Sequence, residues 1–184
     1  MSNTMSLTGK RVAVLVEQQY QEMEVWYPVY RLREAGCVVE LVGPEAGKTY
    51  ASKLGYPAKA TLAAKDAIAT DFAAVVIPGG FSPDYIRRSE AMMKLVRDAL
   101  AQGKPVAAIC HGPWVLCSRI LPQGESPLKG RKVTCFHSIK DDVMNAGGTY
   151  TDQEVVIDGN IITSRTPDDL PAFVVALMEQ MRKG

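Results

Sequence analysis

Short, almost wholly apolar runs alternate along this chain with longer stretches in which apolar residues recur every three or four positions. The runs at 10–17 (K-R-V-A-V-L-V-E), 38–42, 73–77, 105–109 and 133–136 predict strands. The first is apolar enough to be buried on both faces. The longer stretches at 22–35, 89–102, 139–146 and 166 to about 181 predict helices. Gly36, Gly103 and Gly147-Gly148 stand where such helices stop. The segment 44–61, with several Gly and Pro, predicts a small hairpin, and 62–69 a weak helix. Residues 154–157 and 160–163 flank Asp158-Gly159, a strong hairpin signal. The stretch 121–130 has two Pro and two Gly and reads as a surface loop. Strands alternating with helices give an α/β fold, with a mostly parallel central sheet and helices on both faces.

In such a sheet, ligands sit outside the carboxyl ends of the strands. Four segments fall at that edge: 17–24, 78–84, 110–114 and 136–142. The most informative is A-I-C-H-G-P-W at 108–114. A cysteine placed where a strand turns into a helix has the geometry of a nucleophile elbow, and free N–H groups with a helix dipole there favour thiolate. Cys110 is therefore the candidate nucleophile. His111 beside it is either its proton handler or a residue that shapes the turn, since successive helical residues do not face each other. Gly79-Gly80 follows a strand and a Pro. It reads either as a plain turn or as a close backbone approach in which the N–H groups of Gly80 and His111 form an oxyanion hole. Glu22 and Glu24 open the first helix, where a dipole favours acids. Either one, buried against a thiol, would have a raised pKa and could donate a hydrogen bond to the thiolate, and spacing leaves the choice between them open.

Composition narrows the classes. The 184 residues suit one domain, 9–184, after a short frayed tail at 1–8. A net charge of +1 without a basic stripe argues against nucleic acid as a partner. The absence of a long apolar run argues against a membrane span, and the polar start points to the cytoplasm. The four cysteines include no C-x-x-C pair, and Cys135 with His137 matches no zinc spacing, so neither metal nor cofactor is expected. Cys37, Cys117 and Cys135 read as buried core residues. Asp141, Asp142, Asp168 and Asp169 read as caps or solvated faces, and Tyr20, Trp26, Tyr27 and Trp114 as core, pocket or interface aromatics.

The ordered set E-M-E-V at 22–25, V-V-I-P-G-G at 75–80, S-P-D at 82–84, G-K-P-V-A-A-I-C-H-G-P at 103–113, I-K-D-D at 139–142, N-A-G at 145–147 and S-R-T-P-D-D-L at 164–170 resembles the PfpI family of intracellular cysteine proteases. That family lies within the superfamily of Parkinson-associated deglycases and class I glutamine amidotransferase-like domains. The resemblance spans about residues 9 to 182. It implies a flavodoxin-like three-layer sandwich that assembles as a dimer or a ring of dimers. It also implies Cys110 as nucleophile with His111 its neighbour, Glu24 as the carboxyl that bonds the thiol, and Gly80 at the oxyanion position. Asp84 matches the acid that orients the histidine from a neighbouring subunit, with Asp in place of the usual Glu. Gln21 stands where some members carry a second glutamate, and the 121–130 loop is longer than usual. Three functions follow as expectations. The first is a cytoplasmic, stress-related thiol hydrolase acting on small peptides. The second is a deglycase or glyoxalase-like enzyme acting on methylglyoxal and its adducts. The third is a redox sensor through oxidation of Cys110.

Overall fold

The computed structural model describes residues 6–183. In chain order the strands are β1 (Arg11–Leu15), β2 (Val38–Gly43), β3 (Thr49–Ala51), β4 (Pro57–Lys59), β5 (Leu62–Ala63), β6 (Ala74–Ile77), β7 (Val106–Ile109), β8 (Lys132–Val133), β9 (Thr149–Tyr150), β10 (Val155–Asp158) and β11 (Ile161–Ser164). The helices are α1 (Glu22–Glu34), α2 (Ser82–Ile86), α3 (Glu90–Ala101), α4 (Pro113–Cys117), α5 (Lys140–Asn145) and α6 (Leu170–Lys183). A seven-stranded sheet runs β10-β11-β7-β6-β1-β2-β5. Every pairing in it is parallel except the β10–β11 hairpin at one edge. This is the expected flavodoxin-like architecture.

Alternation within the strands builds two cores. From β1, Val12 and Val14 face one cluster while Ala13 and Leu15 face the other; in β7, Ala107 and Ile109 oppose Val106 and Ala108. The first face is covered by α1 and α6, which pack on each other. Residues from α3, α4 and α5 fill the second. All four residues of β6 and of β7 are buried, as a central parallel strand requires. The chain winds from β1 through β2 to β5 on one side, then crosses to β6, β7 and β11 on the other. The carboxyl ends of β1 and β6 therefore diverge at a switch point.

The structure corrects several expectations. Residues 62–69 do not form a weak helix. Leu62 and Ala63 pair with Val42 and Gly43, because the open edge of β2 offers a ladder, and short 3-10 turns follow at Ala64–Asp66 and Ala69–Asp71. The strand expected at 133–136 ends at Val133. Beyond it the Thr134 N–H donates to Thr163 Oγ1 and the Phe136 N–H to the Cys110 carbonyl, so these groups leave the ladder. Of the tail expected at 1–8, residues 1–5 lie outside the described residues, and Leu7 is buried in the core. Asp169 is buried rather than solvated, and Arg165 grips both of its carboxylate oxygens. The hairpins at β3–β4 and β10–β11 form as expected. Among the described residues no helix is long and apolar enough to cross a membrane.

Candidate active site

The four segments expected at the carboxyl edge do converge. Cys110 follows β7 directly and has φ of 61°, in the left-handed region that a side chain enters at a cost. The surroundings fix it there. Its N–H donates to the Ser164 carbonyl at 3.0 Å, and its carbonyl accepts from Phe136 N–H at 2.9 Å. Gly112 has to be glycine for this turn, since a Cβ there would lie 2.5 Å from the Ile77 carbonyl oxygen.

Glu24 is wholly buried, and its Oε2 accepts the Gly79 N–H at 2.7 Å. Its Oε1 has no hydrogen-bond partner among the described residues. Burial lifts this carboxyl to about 7, with the Gly79 N–H pulling the other way. Glu22 does something else. It accepts from Ser52 Oγ and from Leu54 N–H, holding the β3–β4 hairpin against α1. The two acids that spacing left equivalent are thus separated, and Glu24 is the one beside the thiol. Gln21 sets its position, because the Gln21 side chain caps α1 by accepting from Met23 N–H and Glu24 N–H.

The expected thiolate does not follow from the elbow alone. Burial and the nearby Glu24 charge push the Cys110 thiol up to about 12, while the N–H groups of His111 and Gly80 favour the ionised sulfur. Two N–H groups and a five-residue helix do not outweigh the cost of burying two negative charges together. Cys110 and Glu24 are therefore a coupled pair that retains a proton at neutral pH.

Gly79 and Gly80 form the floor. A Cβ on Gly79 would lie 2.8 Å from Cys110 Cβ, from Glu24 Oε2 and from the His111 backbone nitrogen. Gly80 has φ of +68° and bridges to Tyr20. His111 Nδ1 lies 3.4 Å from Cys110 Sγ, and its Nε2 lies 3.2 Å from Ser138 Oγ. Phe136 stacks on the imidazole at 4.9 Å between ring centroids, and Trp114 meets it edge-on at 5.3 Å. Burial holds the His111 pKa below the ordinary imidazole range, and Lys53 and His137 act in the same direction.

Asp84 is not part of this cluster within one chain. It is exposed and pairs with Arg88, its neighbour one turn along. Cys117 is also elsewhere, on a separate polar cavity with Arg87 and Arg119.

With the site assembled, the relationship to known proteins is decided by one match: residues 10–180 fit the DJ-1/PfpI family. The chain belongs to this family. It is 45% identical over 165 residues to the putative cysteine protease YraA of Bacillus subtilis (strain 168), covering 90% of this chain and 94% of that protein. It is 41% identical over 167 residues to protein/nucleic acid deglycase 2 of Escherichia coli (strain K12), covering 90% and 94% respectively. Among solved structures, a two-domain protein with DJ-1/ThiJ/PfpI-like and ferritin-like domains from Anabaena variabilis superposes with a TM-score of 0.87 at 42% identity. That match covers 94% of this chain and 48% of the longer one. The two named relatives thus differ in the reaction their names give.

Three features of the candidate site are not apparent in the sequence: Ser138, Gln21 as a cap, and the close packing of Cys110, Glu24 and His111 around Gly79. Ser138 falls in the 136–142 segment already placed at the sheet edge. A hydroxyl there was a signal, but nothing in the sequence pairs it with a histidine 27 positions earlier.

Proposed function

We propose that this chain is a thiol-dependent hydrolase of carbonyl compounds, with methylglyoxal and its adducts as the substrate class. One observation carries the reading: a fully buried glutamate, its carboxyl lifted by burial to about 7 and its Oε1 without a hydrogen-bond partner among the described residues, sits beside the cysteine held at the elbow. A carboxyl tuned to neutral pH can both accept and return a proton. In this reading the Cys110 sulfur adds to the aldehyde carbon of methylglyoxal as its proton passes to His111 Nδ1, 3.4 Å away. The oxyanion forms against the N–H groups of Gly80 and His111. The sulfur's proton is returned to this oxygen; the Glu24 carboxylate then takes the proton of the former aldehyde carbon and delivers it to the neighbouring carbon while the hydroxyl proton passes to the ketone oxygen, which converts the thiohemiacetal to the thioester of lactate. Water releases lactate and restores the thiol. The deglycase name of the Escherichia coli relative supports this reading.

A peptidase is the second reading. The Cys110–His111 contact of 3.4 Å and the protease name of the Bacillus subtilis relative favour it. It requires Asp84 from a neighbouring copy in a dimer or ring of dimers, because Asp84 does not meet His111 within one chain. Lactate formation from methylglyoxal, compared among wild type, Cys110→Ser and Glu24→Gln, tests the first reading. We expect both variants to fall to the uncatalysed rate. Equal lactate formation by wild type and Cys110→Ser would sink it.

A further inference from the structure

The His111 ring is fixed in three ways that the sequence does not announce. Phe136 lies against one face, Trp114 closes an edge, and Ser138 Oγ meets Nε2 at 3.2 Å. The first two hold the plane of the ring but leave the imidazole free to turn over by half a rotation, which would exchange Nδ1 for a carbon opposite the sulfur. The contacts to Cys110 Sγ and to Ser138 Oγ distinguish the two orientations, and of these only Ser138 lies outside the reacting pair. It also bears on the tautomer, because a neutral imidazole has one N–H and one lone pair.

We propose that Ser138 is the positioning residue for His111, accepting its Nε2–H and so presenting the Nδ1 lone pair to the Cys110 sulfur, which gives each chain its own Cys110–His111–Ser138 relay. The inference rests on the reading of Cys110 as nucleophile and deepens it.

Three further observations support the relay. The turn that carries Ser138 is anchored to the elbow itself, since Phe136 N–H donates to the Cys110 carbonyl and Ile139 N–H to the Phe136 carbonyl. Nucleophile and hydroxyl therefore move as one unit. Ser138 has no other side-chain partner among the described residues. Among the described residues no carboxylate acts on His111: the groups around it are Cys110 on the elbow, Lys53 on the β3–β4 hairpin and His137 on its own turn, while Asp84 on α2 is held by Arg88.

The chemistry of such a relay differs from that of a triad ending in an acid. With the thiol protonated, S–H faces the Nδ1 lone pair and Nε2–H faces the serine oxygen. When sulfur attacks, its proton passes to Nδ1 and the ring becomes an imidazolium that donates on both sides. A serine orients that ring but supplies no negative charge to it, so the proton returns readily.

The test uses the full chain and reads the imidazole directly. Long-range proton–nitrogen NMR spectra of His111 report its tautomer, and site-resolved alkylation of Cys110 by iodoacetamide from pH 6 to 10 reports the thiol. Wild type should show the Nε2–H form. Ser138→Ala should show mixed tautomers and a displaced alkylation profile, with kcat on methylglyoxal down about five-fold at unchanged KM, as expected for one lost neutral hydrogen bond. Ser138→Thr, which keeps the hydroxyl, should restore all three. An unchanged tautomer and alkylation profile in Ser138→Ala would overturn the proposal. So would a tautomer shift in Asp84→Ala with none in Ser138→Ala, since an acid from a neighbouring copy would then orient the ring. If methylglyoxal turns out not to be a substrate, the spectra and the alkylation profile still decide this proposal.

Discussion

At the scale of single residues, adjacent positions in this site are constrained for different physical reasons. Gly80 is glycine because of its left-handed backbone and because a Cβ there would collide with the Gln19 carbonyl oxygen, and Gly79 because three atoms of the site itself already occupy the space of a Cβ. Gly79→Ala should cost about 2 kcal/mol through overpacking and abolish Cys110 turnover, which urea unfolding and a lactate assay would show together. Glu24 makes a pH-dependent prediction. Its carboxyl ordinarily titrates near 4.5 and here titrates at about 7. The unfolded chain therefore loses this proton first as pH rises. Between those values the folded state holds more protons, so stability falls with rising pH, by about 3 kcal/mol in total. Urea unfolding of wild type and Glu24→Gln at pH 4 and pH 8 should show this difference, and parallel behaviour of the two proteins would contradict it. The sequence made Cys110 legible because strand, cysteine, glycine and proline follow one another within a few positions. Spacing alone left Glu22 and Glu24 unresolved, and only the family resemblance chose Glu24, because both lie on the first turn of α1 and which of them faces inward depends on the hairpin that Glu22 holds. Ser138 was not legible at all, since a serine in a polar turn looks like any other until its partner is known.

At the scale of elements, apolar periodicity was sufficient for the strands and helices that bury continuous faces. It failed at 62–69 and at 134–136, where the deciding partner is remote: the open edge of β2 in one case, Thr163 and the Cys110 carbonyl in the other. Such hydrogen bonds leave no mark on local composition. The start of α1 shows how a cap can serve a site. Gln21 accepts from the N–H of Met23 and of Glu24, so the cap sets the turn that delivers the carboxyl to the thiol. Gln21→Ala should cost about 1 kcal/mol of stability and lower kcat more than it raises KM, because the displaced group acts on the proton rather than on binding. A variant whose stability falls while its kinetics stay as in wild type would show that the turn holds without its cap.

At the scale of the whole molecule, the sheet brings together segments from β1, β6 and β7 at the switch point, and both core faces are filled before the site is reached. The parallel architecture was legible from the alternation of elements alone. Assembly was not, because the exposed Asp84–Arg88 pair on α2 carries no sign of a second copy. The two functional readings part here. Lactate formation is expected to be independent of Asp84, whose exposed ion pair is worth no more than about 1 kcal/mol, whereas peptide cleavage should be lost in Asp84→Ala. Loss of both activities in that variant would mean that dicarbonyl chemistry also needs the neighbouring copy. The backbone bonds of the nucleophile have a consequence for the newborn chain. The Cys110 N–H is satisfied by a carbonyl on β11 and its carbonyl by the N–H of Phe136, and both lie downstream. The ribosome thus delivers the sulfur well before the segments that pin it in its strained conformation. The working elbow is among the last features to be completed during synthesis, and a chain cut short of Ser164 carries the cysteine without the site.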